Sequence, residues 1–232
     1  LERFRFYAGL YDAIRIDHAI GFVRYYGLGR VGERWYDGPD AENDVFIPKL
    51  TRLAKSCGVE LIAEDLGSVP ERAYRLFTKY RWAGTRVLQF GFANGYGTET
   101  IHLPFYYPHK SVAYTGTHDN ATTYSFFDEL KKEDKDVALR YMNRSRFTSK
   151  KKLTWDLIAL AMGSVSDLCI IPAQDYLCLP NSARINTPST LGGNWKWRMA
   201  GGVFDDKLCE KIRKMTKLYG RLKGQSASAD IH

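Results

Sequence analysis

Short apolar runs, each closing on polar residues, recur along the chain. The first is Ala13-Ile14-Arg15-Ile16, closed by Asp17-His18. Val59-Glu60-Leu61-Ile62-Ala63 ends in Glu64-Asp65, and Thr85-Arg86-Val87-Leu88-Gln89-Phe90 forms a third run. Ser111-Val112-Ala113-Tyr114-Thr115 leads into Gly116-Thr117-His118-Asp119-Asn120, and Asp167-Leu168-Cys169-Ile170-Ile171-Pro172 leads into Gln174-Asp175. Runs of this length, bounded by turn residues, predict five strands.

Helical spacing fills the gaps between them. Phe46, Leu50, Leu53 and Ala54 share a face of a helix predicted from an Asp40 cap to about Cys57, with Gly58 as its stop. Ser68 and Glu71 read as a capping box around Pro70, opening a helix with Ala73, Leu76, Phe77 and Tyr80. Further helices are predicted from about Ala121, from Leu153 to Met162, and from Asp206 to about Tyr219, the last burying Leu208, Ile212, Met215 and Tyr219. The Gly- and aromatic-rich stretch from Phe22 to Pro39 reads as a loop with its own packing, a candidate lid. Gly91 to Pro108 reads as a second long loop. Strand and helix alternate without a hairpin signal, so a parallel sheet is expected. Such sheets keep their sites at the C-terminal ends of the strands. No Gly-rich phosphate loop follows any strand, which argues against a nucleotide site.

Composition narrows the function classes. At 232 residues and 44% hydrophobic, the chain can build one sizeable core. Its 15 Tyr, 12 Phe and 5 Trp serve core packing first and sugar stacking second. The formal charge of +8 is carried by runs such as Lys131-Lys132 and Lys150-Lys151-Lys152, which read as solvated faces. A nucleic-acid partner would require a basic groove interleaved with aromatics or a known motif, and the sequence has neither. No apolar run approaches 20 residues, so no membrane span is expected. Cys57, Cys169, Cys178 and Cys209 lack metal-ligand spacing, and Cys169 reads as a core thiol. A reducing compartment follows, with the cytoplasm as the default and a plastid as the alternative.

The strand ends carry the chemistry. Asp17, Glu64 and Asp119 each close a separate strand, so in a barrel they point into one bowl. Three acids there fit a metal site with oxygen ligands or the cleavage of a glycosidic bond. Arg15 favours the second. It points the same way as Asp17, two residues along a strand, and its charge would keep Asp17 ionised. His118 offers a donor to a sugar hydroxyl. Asp65 reads as a loop anchor, His18 as a partner for a backbone carbonyl, and His102 and His109 as packing or surface residues.

Several motifs occur in an order that resembles one family. Arg15-Ile16-Asp17-His18, Ala63-Glu64-Asp65-Leu66-Gly67, Val87-Leu88-Gln89-Phe90 and Tyr114-Thr115-Gly116-Thr117-His118-Asp119-Asn120 are similar to segments of the 4-α-glucanotransferases (amylomaltase or disproportionating enzyme) of glycoside hydrolase family 77. Ala183-Arg184-Ile185-Asn186-Thr187-Pro188, Gly193-Asn194-Trp195, Trp197-Arg198 and Leu218-Tyr219-Gly220-Arg221 extend the likeness to almost the whole chain. The family carries Phe-Arg after its His, where this chain has Ala19-Ile20.

The resemblance implies an α/β fold, a (β/α)8 TIM-type barrel of which the chain supplies about strands 4–8 within residues 1–224, followed by a disordered tail over 225–232. It implies that the N-terminal half of the barrel belongs to sequence outside these residues. It implies Asp17 as nucleophile, Glu64 as general acid and then base, and Asp119 as the acid that holds ring hydroxyls. Arg15, His118, Asn186 and Trp195 would bind the substrate, an α-1,4-glucan such as a maltooligosaccharide or starch. No metal or organic cofactor is needed. A glucan hydrolase using the same acids and an inactive glucan-binding fragment are the alternatives.

Overall fold

The computed structural model describes residues 1–29, 32–37, 46–93 and 101–222. Among the described residues seven strands run in chain order: β1 (Ala13–Ile16), β2 (Arg24–Gly29), β3 (Gly32–Asp37), β4 (Glu60–Ala63), β5 (Ala83–Val87), β6 (Ser111–Tyr114) and β7 (Leu168–Ile170). The helices are α1 (Glu2–Ala8), α2 (Phe46–Ser56), α3 (Glu71–Lys79), α4 (Thr123–Glu129), α5 (Lys132–Tyr141), α6 (Lys150–Met162), α7 (Ala173–Tyr176) and α8 (Asp206–Leu218). Five strands join one sheet in the order β1-β4-β5-β6-β7. These are the five apolar runs of the sequence, and neighbours in the sheet follow chain order once the β2-β3 pair is set aside.

The chain packs as two compact units. The first holds Leu1–Thr85 and His109–Val112, and the second holds Arg86–Pro108 and the described residues from Ala113 onward. In the first unit β1 pairs parallel with β4, Ala13 opposite Glu60 and Ile16 opposite Ala63, and β4 pairs parallel with the start of β5. A parallel pair needs a crossover, and α2 and α3 supply the two helical ones. Ile47, Leu50 and Ala54 of α2 and Ala73, Leu76 and Phe77 of α3 close over Leu61, Ala63 and Trp82. Trp82 stacks on Phe77 at 5.4 Å and donates its indole N–H to Thr51 Oγ1 at 2.9 Å, so its one polar atom is satisfied.

In the second unit Leu88, Phe92 and Leu103 pack with Phe126 and Phe127 of α4, Ala138 and Leu139 of α5, and Leu153, Leu157 and Ala161 of α6. The other side of α6, through Trp155, Ile158 and Met162, meets Leu208, Ile212 and Met215 of α8. Helix α6 is therefore apolar on two faces, as its sequence requires. Lys211 lies over the Trp155 ring, 3.3 Å from its centroid. Side-chain caps start three helices: Thr122 accepts from Ser125 N–H, Ser149 from Lys152 N–H, and Asp205 from Leu208 N–H.

Several expectations need correction. The stretch after Phe22 contains an antiparallel hairpin, β2 with β3, paired from Arg24 opposite Asp37 to Gly29 opposite Gly32. Gly27, Gly29 and Gly32 imitate a loop, while the flanking Tyr25, Tyr26, Trp35 and Tyr36 favour strands. Helix α2 begins at Phe46; the Asp40 cap lies outside the described residues. The Ser68–Glu71 capping box does not form, because Pro70 itself takes the extended N-cap position and leaves Ser68 too far upstream. Strand β5 stops at Val87, and Leu88–Gly91 turn into a 3-10 helix. Helix α1 has no counterpart in the sequence reading, and none of its residues is buried. Helix α8 buries no side chain completely, and Tyr219 is exposed.

Candidate active site

In the first unit the site is built where β1 and β4 end side by side. Arg15 is the penultimate residue of β1, and Asp17 follows its last residue. Period-2 alternation puts both side chains on one face, and Arg15 Nη1 donates to Asp17 Oδ1 at 2.8 Å. The Asp17 side chain remains 77% exposed. His18 takes a left-handed conformation, φ 44° and ψ 50°, which costs a non-glycine residue energy and turns the chain sharply. The turn aims the His18 backbone N–H at Glu64, whose Oε2 accepts it at 2.5 Å. Glu64 N–H donates to Ile16 O at 3.0 Å, and Ala19 N–H donates to Glu64 O at 3.1 Å. The carboxylate of Glu64 is thus fastened to the residue adjoining Asp17. The His18 ring lies over Gly21, where a Cβ would come within 3.2 Å of it. The structure therefore uses the backbone of His18 where the sequence suggested its side chain.

Asp65 behaves as the expected anchor. It is buried and accepts the Thr85 N–H at 2.6 Å, tying the residue after Glu64 to β5.

In the second unit β6 delivers a compact turn. Thr117 donates through both N–H and Oγ1 to Asn120 Oδ1, at 2.8 and 2.9 Å. Asp119 Oδ1 accepts from Asn186 Nδ2 at 2.5 Å, and His118 Nε2 lies 3.3 Å from Asp119 Oδ2. Asn186 N–H donates to His118 O at 3.1 Å. Trp195 N–H donates to Ile185 O at 2.7 Å, and its ring sits 5.0 Å from that of His118. Trp195 is 58% exposed and holds a positive φ of 63°. His118, Asp119, Asn186 and Trp195 are therefore assembled here, as Arg15, Asp17 and Glu64 are assembled in the first unit.

Arg184 belongs to this assembly and was not among the expected site residues. It donates Nη2 to Asp119 O at 2.6 Å and Nε to Asn186 O at 2.9 Å, bridging the two segments. Its signal was present in the sequence, a cation two residues before Asn186. A single Arg in a loop has too many other uses to single it out.

Two other groups fall to packing. Burial and the neighbouring Arg86 hold the His102 imidazole at about 4, and its Nδ1 accepts the Val87 N–H at 3.2 Å. Burial pushes the Cys169 thiol up to about 11, an unreactive core sulfur as expected. Among the described residues no group of three or more His, Cys, Asp or Glu is placed to hold a metal ion, and no helix is long and apolar enough to cross a membrane.

The family model described as 4-alpha-glucanotransferase matches residues 1–204. A 4-alpha-glucanotransferase of Clostridium butyricum is 36% identical over 95% of this chain and 45% of its own length. The chloroplastic/amyloplastic 4-alpha-glucanotransferase of Arabidopsis thaliana is 35% identical over 96% of this chain and 38% of its own length. Amylomaltase from Streptococcus agalactiae, solved in complex with acarbose, superposes with a TM-score of 0.81 at 31% identity, over 95% of this chain and 44% of that one. The chain thus spans less than half the length of these relatives. Its parallel five-stranded sheet with helical crossovers is part of a (β/α)8 barrel. On the extent of the family match and the order of its strands, the chain belongs to the 4-alpha-glucanotransferases, glycoside hydrolase family 77.

Proposed function

We propose that the protein containing this chain transfers α-1,4-glucan segments between maltooligosaccharides or starch-like glucans, with retention at the anomeric carbon. The observation that carries this reading is the fastening of Glu64 to His18 N–H, beside Asp17, on adjacent strand ends of a chain in this family. Asp17 attacks C1 of the bound sugar. The bond from C1 to the leaving 4-oxygen breaks, and Glu64 gives that oxygen its proton. A covalent glycosyl-enzyme and a shortened glucan result. A 4-hydroxyl of a second glucan then loses its proton to Glu64 and attacks C1, and the bond to Asp17 breaks. Retention by this route requires the two carboxyl groups to lie about 5–5.5 Å apart.

Arg15 donates to Asp17 and so orients its carboxylate toward the sugar. Asp119, held by Asn186 and flanked by His118, takes the ring hydroxyls, and Trp195 offers an exposed aromatic face for a sugar. These steps are carried by carboxylates and need no metal or organic cofactor. The remainder of the barrel comes from sequence beyond these residues. The protein works in the cytoplasm or, as for the chloroplastic relative, in a plastid.

Maltotriose distinguishes the outcomes. Transfer yields a ladder of longer and shorter glucans. Glucose and maltose alone would make the protein a hydrolase, and an unchanged substrate would leave a binding fragment. Asp17→Asn should abolish turnover, and retained turnover overturns the nucleophile assignment.

A further inference from the structure

Beneath the His118–Asp119 turn lies a buried polar cluster to which the proposed chemistry assigns no part. Asp175 is 1% exposed, in the short helix α7 just after β7. Its Oδ2 accepts from Thr115 Oγ1 at 2.5 Å and from Thr123 Oγ1 at 2.6 Å, and its Oδ1 accepts from Thr123 N–H at 2.8 Å. Thr115 is the residue after β6, and Thr123 is the first residue of α4. These two threonines bracket the segment that carries His118 and Asp119.

The adjacent residue reaches the other side of the same site. Gln174, also buried, donates Nε2 to Ala183 O at 3.1 Å. Ala183 precedes Arg184, which donates to Asp119 O, and lies three residues before Asn186, which donates to the Asp119 carboxylate. Two consecutive residues of α7 thus hold both segments that place Asp119. Gln89 completes the floor. Its backbone N–H donates to Thr115 O at 3.2 Å, and its Nε2 donates to Ala121 O at 3.0 Å. Gly116 is required above it, since a Cβ there would fall 2.6 Å from Gln89 Nε2.

Stability alone does not call for a carboxylate here. Burying one is costly, and well-packed apolar residues usually hold a core at least as well. Three donors converge on Asp175, from residues on both sides of the turn. That arrangement fixes geometry. Burial raises the Asp175 pKa, and the hydrogen bonds from Thr115 and Thr123 oppose that rise.

We propose that Gln174 and Asp175 are positioning residues that set the placement of Asp119 through Thr115, Thr123 and Ala183. The proposal rests on the reading of Asp119 as the acid that holds ring hydroxyls in the transition state. Because the pair acts on that placement, its loss lowers kcat and leaves KM nearly unchanged.

The test uses the full-length protein containing this chain, with Thr115→Val, Thr115→Ser, Asp175→Asn and Asp119→Asn compared on maltotriose. Thr115→Val removes one hydroxyl without changing side-chain volume, and Thr115→Ser restores it. Displacing a group by about 1 Å costs on the order of 100-fold in rate, so Thr115→Val and Asp175→Asn are expected to lose roughly 10- to 100-fold in kcat per folded molecule. Thr115→Ser recovers most of that loss. Unchanged kcat in Thr115→Val overturns the proposal. So does a lower yield of folded protein whose kcat per folded molecule is normal. If Asp175→Asn does not fold, the Val–Ser pair decides alone. Turnover that survives Asp119→Asn marks failure of the underlying reading of Asp119, a result separate from failure of the positioning role.

Discussion

Acidification will destabilise the second unit through His102. Its imidazole is largely buried and meets the Phe90 ring edge-to-face, 5.4 Å between centroids, and its Nδ1 is the acceptor for the Val87 N–H. A protonated Nδ1 cannot accept that bond, and burial beside Arg86 opposes the charge. The folded protein therefore takes up this proton at about 4, against 6.5 for an unperturbed imidazole. Between those values the unfolded chain binds more protons than the folded one, so stability falls as pH falls from about 6.5 to about 4. At about 1.4 kcal/mol per pH unit, the interval corresponds to about 3 kcal/mol. Carboxylates also titrate near the lower end, so wild type must be compared with a variant lacking only this proton site. His102→Asn keeps an acceptor near Nδ1 and cannot ionise. Urea unfolding at several pH values should show wild type losing about 3 kcal/mol more than His102→Asn across that window. Parallel pH dependences for the two proteins would refute the argument, whatever their absolute stabilities.

Two further outcomes test the site and the core. Asn186→Ala removes the amide that donates to Asp119. A hydrogen bond to a charged group contributes about 1.5–3 kcal/mol, and the partial exposure of Asp119 puts this one at the lower end, about a 10-fold loss in kcat/KM on maltotriose. Wild-type rates in that variant would remove Asn186 from the site. Phe127 is fully buried among Leu88, Phe92 and Leu103. Phe127→Ala should cost about 3–5 kcal/mol in chemical unfolding, and a loss below about 1 kcal/mol would mean that this cluster is not the core of its unit.

The sequence by itself determined the five strands of the parallel sheet and their order along the chain. Ile14-Arg15-Ile16, Leu61-Ile62-Ala63 and Val112-Ala113-Tyr114 are apolar runs with polar ends, and that pattern is local. Burial demands it of β4 and β6, whose apolar residues are buried, while β1 is only half-buried. The same locality made Asp17, Glu64 and Asp119 visible, since each is the first acid after such a run. It also misled where local signals compete. Glycines hid the β2–β3 hairpin, and Pro70 displaced a cap that Ser68 seemed to offer.

Tertiary structure decided which groups meet. Glu64 receives the His18 N–H across 46 residues, and Asp119 receives Asn186 across 67. Gln89 and Asp175 read in the sequence as ordinary polar residues near strand ends, and Arg184 as one more loop cation. Their roles exist only because a buried donor or acceptor must find a partner, and the partner it finds depends on which strands and loops the fold makes neighbours. Apolar periodicity is a property of a segment, whereas hydrogen-bond satisfaction in a buried site is a property of several segments at once. That is why the acids were legible in the chain and the framework that aims Asp119 was not.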